Sequence, residues 1–211
     1  MTILDDPRFF AAVRARCAER GHRWEPGEVA IVGRITDATV LDVAARLRHA
    51  GRGPVVVTVD STGGEVDAAE DITALLDAYR AGARAEVRTS IVRAESAAGV
   101  IAQAGHPRVM RTHGMISMHA PYQARPHGRT TVTADMGTLA RCMRDERASD
   151  DLRSRAALEL GSLLDTAQTI VDAYAERTGQ PAEVWRTAMI EEARYGAYAA
   201  VLAGLADGVE A

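Results

Sequence analysis

The chain has 211 residues, of which 47% are apolar and 26% charged, and this composition fits one folded domain with a sizeable core. A formal net charge of -4 argues against a nucleic-acid-binding surface, and no apolar run approaches the roughly 18 residues that a membrane span needs. All 25 basic residues are arginine, so lysine is excluded as a general base, a Schiff-base former or a phosphate ligand.

The N-terminus and the cysteines bear on compartment and metal binding. The chain begins MTILDDPRFF, which has two early aspartates and lacks the basic-then-apolar order of a signal peptide. The only cysteines, Cys17 and Cys142, lie far apart and have no CxxC or Cys/His spacing. We therefore expect a cytoplasmic protein without a structural zinc, another metal or a cofactor.

The first half of the chain alternates between strand and helix patterns. Strand patterns occupy residues 29–33, 54–60, 85–92, 107–110 and 114–121. Helix patterns occupy residues 1–25 (followed by a loop to 28), 37–50, 65–80 and the apolar segment after Ser96. This alternation predicts an α/β fold whose strands are covered on their faces, with sites at the strand ends.

The second half is dominated by a long helical pattern. Residues 137–177 contain neither proline nor a turn cluster, and they predict one long helix or two joined helices. This helical segment, called the arm below, is too long to lie on a small domain. It is therefore either a packing arm between subunits or a long surface helix. The tail predicts a helix, a bend near Tyr195–Gly196, another helix and a short terminal strand.

Three strand-end features have two interpretations each. Ser96 either caps the apolar helix that follows it or is a nucleophile. The paired glycines of DSTGGEV form either a plain turn or a cradle of backbone N–H groups for an oxyanion. His119 is either a hydrogen-bonded structural residue or a general base. Each feature alone is unremarkable, but a nucleophile, a base and an oxyanion cradle, each at a strand end and in this order, together favour a catalytic interpretation.

At these segments the chain resembles the Clp protease proteolytic subunits, including the Clp-like phage prohead proteases, which belong to the crotonase-like superfamily. DSTGGEVDAAEDI resembles the family's SPGG turn and its following helix, with Thr62 in place of the proline. AESAAGVIAQAG resembles the nucleophile segment, and MISMHAP resembles the strand that carries the catalytic histidine. TGQPAEVWRTAM and AVLAGLAD resemble the helix after the family's handle and its C-terminal ending.

The resemblance implies a crotonase/Clp-protease-like spiral of ββα units over residues 29–211, with an extended helical handle at about 122–177. It implies a serine-type endopeptidase that cleaves peptides or unfolded polypeptides inside a homo-oligomeric, ring-type chamber. Ser96 is then the nucleophile and His119 its base, and the N–H groups of Gly64 and Ala97 form the oxyanion hole. A second Clp-like subunit or an ATP-dependent unfoldase would be a partner, whereas nucleic acid and membrane would not.

The chain departs from the family at the third catalytic position. The family's aspartate falls on Ala188, and the nearest acids are Glu191 and Glu192, one helical turn further on. Either a glutamate substitutes, or a Ser–His dyad works more slowly, or the subunit is inactive. The arm is also longer than the usual handle, and the N-terminal segment does not resemble the family's axial loops.

Two other functions are alternatives to an active peptidase. One is a degenerate, non-catalytic ring partner, which the missing aspartate favours. The other is a crotonase-type acyl-CoA enzyme, which the matching Ser96 and His119 disfavour because that class usually relies on glutamates. A Ser–Lys peptidase of the same superfamily is excluded because the chain has no lysine.

Overall fold

The computed structural model describes residues 27–127 and 130–210, which divide into two compact units. The first unit runs to Met118 and includes residues 177–179 and 194–211, and the second comprises His119–Glu176 and Gln180–Ala193. The predicted helix at 1–25 lies outside the described residues. All but the last residue of the predicted handle at 122–177 falls in the second unit.

The first unit is built on a mostly parallel sheet. Its described strands are β1 (Glu28–Val32), β2 (Val55–Ser61), β3 (Val87–Glu95), β4 (Arg108–Ser117), β7 (Arg194–Gly196) and β8 (Gly208–Glu210). They are ordered β1-β2-β3-β4-β7, with β8 also beside β4, and only β7 is antiparallel to its neighbour. Helices α1 (Asp37–Ala50), α2 (Val66–Ala83) and α3 (Ala97–Ala102) connect the first four strands, and α7 (Ala197–Leu202) follows β7. The predicted α/β class is confirmed.

The core lies between this sheet and its helices. In β2, Val55, Val57 and Val59 are buried while Val56 is 39% exposed, as the alternation of side chains along a strand requires. The helices contribute further buried apolar residues, among them Ile72, and each such side chain stabilises the fold by about 1.5–3 kcal/mol. This packing fixes the strand register and thereby lines up the carboxyl ends of β2, β3 and β4.

One predicted boundary is wrong, because the patterns at 107–110 and 114–121 belong mainly to the single strand β4. Gly114 is the first residue of the second predicted run. It lies where the pairing of β4 with β3 shifts register, and an added Cβ there would come within 2.7 Å of the Ile91 carbonyl oxygen. The glycine therefore permits a close backbone approach at a bulge and does not end the strand.

The second unit is an arm of a hairpin and helices. It contains strands β5 (Gln123–His127) and β6 (Thr130–Ala134) and helices α4 (Met136–Arg144), α5 (Asp150–Thr178) and α6 (Ala182–Ile190), although α5 ends in the first unit. The two-helix alternative for residues 137–177 is therefore confirmed, and Gly161 lies inside α5 without interrupting it. The hairpin was not predicted. No helix in the described ranges has the length and apolar character needed to cross a membrane.

Packing within the arm accounts for its long helix. Leu139 of α4 packs with Ala156 and Leu163 of α5 in a small apolar cluster. Further along α5, Tyr174 is fully buried, and its ring centre lies 5.3 Å from that of Trp185 in α6. These contacts bury one stripe of a 29-residue helix that is about 43 Å long. Leu158, elsewhere on the same helix, stays 77% exposed.

Candidate active site

Ser96 is held in a backbone conformation that serine rarely adopts. β3 ends at Glu95 and α3 begins at Ala97, so one residue makes the whole turn between strand and helix. Its dihedral angles are φ 54° and ψ -129°, a left-handed combination that favours glycine. The Ser96 N–H donates to the Ser117 carbonyl at 2.9 Å, which ties the turn to the end of β4. Strain of this kind accumulates at functional sites, where the surrounding structure enforces it.

Capping does not explain this serine. Ser96 occupies the N-cap position of α3, but its side chain makes no capping hydrogen bond. The capping interpretation is therefore wrong. The helix that follows is buried throughout, whereas Ser96 is only half-buried. A hydroxyl on a strained strand-to-helix turn matches the geometry of a nucleophile elbow, in which the turn exposes the serine oxygen.

The glycine turn after β2 packs directly against the serine turn. Gly63 has φ 89°, and a Cβ added to it would lie 2.8 Å from the Ser96 Cβ and 3.2 Å from the Ala97 nitrogen. Any larger residue would therefore collide with the serine turn. This contact brings the predicted nucleophile and both predicted oxyanion donors into one corner of the first unit.

The amides of this corner suit an oxyanion. The bridge to Ile35 uses the Gly63 carbonyl and the Glu65 N–H, at 3.0 and 3.1 Å. The Gly64 N–H takes no part in that bridge, and the Ala97 N–H belongs to the first turn of α3, where helical partners are lacking. Among the described residues, neither amide has a backbone acceptor. Two amides beside one serine can donate to the oxygen of a tetrahedral intermediate.

Ser61 holds the glycine turn in place, a role that the sequence analysis missed. Its buried hydroxyl donates to the Gly33 carbonyl at 2.5 Å and accepts from the Gly63 N–H at 3.0 Å. The Gly33 contact joins residues 28 positions apart, so a local pattern could not reveal it. A serine two residues before a glycine N–H is nevertheless a recognisable turn signal.

His119 is the first residue of the second unit, where its ring has two defined contacts. Nδ1 lies 2.8 Å from the carbonyl oxygen of Ala120, the next residue along the chain. The imidazole also stacks on the Tyr122 ring, with centres 5.6 Å apart and planes 25° from parallel. His119 as a whole is half-buried.

The expected carboxylate partner of His119 is not among these contacts. Ala188, at the family's aspartate position, is buried in α6, while Glu191 and Glu192 just beyond that helix are exposed. Within the described part of the chain, His119 Nδ1 has the Ala120 carbonyl oxygen as its hydrogen-bond partner, and neither glutamate contacts it. The same part of the chain contains no cluster of three side chains suited to bind a metal ion.

The GLAD ending, residues 204–207, is tied to the start of β4 by hydrogen bonds within the first unit. Asp207 accepts from the Arg108 backbone N–H at 2.6 Å and from its Nη2 at 2.7 Å. Burial by itself would raise the pKa of the Asp207 carboxyl, but hydrogen bonds and charge from Arg108 outweigh burial and lower that pKa below its usual range. The guanidinium of Arg108 also donates to Gln103, whose amide donates to the Leu205 carbonyl. The ending is therefore a structural clamp on β4.

Comparison with protein-family models and with curated proteins finds no match for this sequence.

Proposed function

We propose that the protein is a serine-type endopeptidase of the Clp proteolytic-subunit type, acting on peptides or unfolded polypeptides. The observation that carries the proposal is the strained conformation of Ser96, which presents a hydroxyl without a capping bond beside Gly63 and the Ala97 N–H. A serine with only a structural role gains nothing from a conformation that costs about 1–3 kcal/mol. A nucleophile does gain, because the turn exposes its oxygen next to oxyanion donors.

The proposed reaction follows the usual order of serine peptidases. Ser96 Oγ attacks the carbonyl carbon of the scissile peptide bond while His119 Nε2 takes the hydroxyl proton. The N–H groups of Gly64 and Ala97 stabilise the negative oxygen of the tetrahedral intermediate. The intermediate then collapses, the C–N bond breaks, and His119 returns the proton to the leaving amine. Water hydrolyses the acyl ester by the same steps and regenerates Ser96.

Chain connectivity supports the pairing of His119 with Ser96. The Ser117 carbonyl accepts from the Ser96 N–H, and Met118 alone separates Ser117 from His119. Two residues span at most about 7 Å, so the backbone of His119 stays close to the residue that anchors the nucleophile turn.

The proposal extends to fold family and assembly. A mostly parallel sheet with intervening helices and a helical arm is compatible with a Clp-like spiral and its handle. The arm exposes Leu158 in the first third of α5, where it would pack against an arm of another copy. In this proposal the chains form a cytoplasmic ring-type homo-oligomer that encloses the active sites, and neither a metal nor a cofactor takes part.

A fluorophosphonate probe tests the nucleophile. It should attach one label to the wild-type protein, and Ser96→Ala should abolish the labelling while the far-ultraviolet circular dichroism spectrum stays the same. Ser90→Ala is the matched control, because Ser90 is a buried serine of β3, the strand that leads to Ser96, and its hydroxyl donates to Glu210. Labelling that survives Ser96→Ala would refute the assignment.

Sedimentation tests the assembly. A ring-type oligomer is many times heavier than the 22.5 kDa chain, so analytical ultracentrifugation should show one large species. A single sharp boundary at the mass of one chain would rule out a self-assembling chamber.

A non-catalytic ring partner is the second candidate, and Ala188 is the observation that favours it. The residue is buried and carries no carboxylate at the position where the family has its aspartate. This candidate predicts an assembled, folded oligomer that the fluorophosphonate does not label. The labelling and sedimentation experiments, made on one sample, therefore separate the two functions.

A further inference from the structure

We propose that the main-chain carbonyl of Ala120, in place of a carboxylate, sets the tautomer of His119, and that the Tyr122 ring positions the imidazole. The inference rests on the proposed role of His119 as general base and identifies how a subunit with alanine at position 188 would orient that base. Ala120 and Tyr122 act through His119 and are positioning residues.

The hydrogen bond to Ala120 determines where the proton sits. A carbonyl oxygen only accepts hydrogen bonds, so the 2.8 Å contact requires Nδ1 to carry the hydrogen. In a neutral imidazole the other nitrogen, Nε2, is then unprotonated and can take a proton. This is the tautomer that a general base next to a serine needs, and in serine peptidases an aspartate normally selects it.

Pro121 explains why this carbonyl is in a fixed place. The residue before a proline is restricted to extended conformations, because the proline ring collides with it in the helical region. The backbone torsion ψ of Ala120, which sets the direction of its carbonyl, is therefore restricted. Pro121 is itself buried. The sequence His-Ala-Pro thus places, directly after the proposed base, a carbonyl acceptor whose direction is restricted.

Tyr122 holds the imidazole in position and stabilises its positive charge, which the neutral Ala120 carbonyl does only weakly. Its ring lies over the imidazole at 5.6 Å and restricts rotation about the His119 side-chain bonds. The face of an aromatic ring also attracts a cation, so the tyrosine favours the imidazolium that forms when the serine proton is taken. At a half-exposed site such as this one, the attraction corresponds to about two- to fivefold in rate.

The glutamates near position 188 do not form the hydrogen bond with His119 Nδ1 that the Ala120 carbonyl accepts. Glu191 and Glu192 are exposed, and Glu192 has a left-handed φ of 51° in the turn after α6. Nδ1 already donates its single hydrogen to Ala120. A new carboxylate made by Ala188→Asp would therefore have to displace an existing bond, and we expect that substitution to leave the tautomer unchanged.

The tautomer can be measured directly and without activity. Nitrogen-15 NMR of the imidazole, at about pH 9 where histidine is ordinarily neutral, separates a protonated from an unprotonated ring nitrogen. The His119 signals are assigned by their loss in His119→Gln. The wild type should show a protonated Nδ1 and an unprotonated Nε2. Pro121→Gly should shift the population toward the other tautomer, because it frees the Ala120 carbonyl.

Kinetics with a short peptide substrate tests the positioning by Tyr122. Tyr122→Leu should lower kcat about two- to fivefold with KM unchanged, because the ring acts on the base and leaves substrate binding alone. Tyr122→Phe keeps the ring and should keep kcat. Tyr198→Leu, which alters an exposed tyrosine of the first unit, is the matched control and should have no effect.

The tautomer measurement and the kinetics test separate parts of the inference. A dominant Nε2–H tautomer in the wild type would overturn it, whether or not Pro121→Gly folds. An active wild type in which Tyr122→Leu changes neither tautomer nor kcat would overturn the role of the ring. If the wild type has the expected tautomer but neither labels nor cleaves, the endopeptidase proposal fails while the assignment of the histidine contacts stands.

Discussion

Ser96→Gly should stabilise the protein while removing its nucleophile. Ser96 has φ 54° and ψ -129°, which glycine adopts freely and other residues adopt only under strain. Its N–H bond to the Ser117 carbonyl uses the backbone and is available to any residue. The right reference is Ser96→Ala, because alanine also lacks the hydroxyl but keeps a Cβ in the strained conformation.

The expected difference in free energy of unfolding between Ser96→Gly and Ser96→Ala is the sum of two opposing contributions. Releasing a strained backbone conformation contributes about 1–3 kcal/mol, and the extra freedom of glycine in the unfolded chain costs about 0.5–1 kcal/mol. Ser96→Gly should therefore be more stable than Ser96→Ala by about 0–2.5 kcal/mol, with a central value of about 1 kcal/mol. For a chain of this length, that central value corresponds to a rise in Tm of about 2–4 °C.

Urea unfolding followed by circular dichroism measures the difference, and Ser90 provides the control. Ser90 is buried in the interior of β3, where glycine should be about 0.5–1 kcal/mol less stable than alanine. The glycine-minus-alanine difference should thus have opposite signs at the two serines. If Ser96→Gly is no more stable than Ser96→Ala while the Ser90 pair behaves normally, the argument from strain is refuted.

Three other predictions test the surroundings of the site and the assembly. Gly63→Ala should lower stability by about 1–3 kcal/mol and reduce fluorophosphonate labelling, because its Cβ would come within 2.8 Å of the Ser96 Cβ at a φ of 89°; thermal unfolding at wild-type values would contradict this. Asp207→Asn should cost about 1–3 kcal/mol at pH 7, allowing for partial exposure of the pair. Because Arg108 lowers the Asp207 pKa, that stabilisation is complete above the unfolded pKa of about 3.9 and is lost as pH falls through the lower folded value. Urea unfolding at pH 7 and near pH 3 should therefore show the wild-type advantage shrinking, and a constant advantage would exclude this ion pair as its source. Leu158→Arg should reduce the oligomer mass in ultracentrifugation if α5 forms the contact between copies, and an unchanged mass would place that contact elsewhere.

The sequence by itself determined most elements of the first unit and the order in which the candidate site residues follow one another along the chain. The patterns at 37–50 and 54–60 correspond closely to α1 and β2, because burial of one face imposes a period that a short segment displays. The break between α4 and α5 agrees with one of two predicted alternatives. The GG turn, Ser96 and His119 could all be read as strand-end features, since local turn residues mark where strands stop.

Only the tertiary structure decided how these features meet. The left-handed turn at Ser96, the contact of Gly63 with it, and the bond of Ser61 to Gly33 all depend on strands that are distant in sequence but adjacent in the sheet. The same non-local pairing merged two apolar runs into β4 through a bulge at Gly114. Register and hydrogen-bond partners are set when separate segments pack together, and a period in one segment carries no information about its partner.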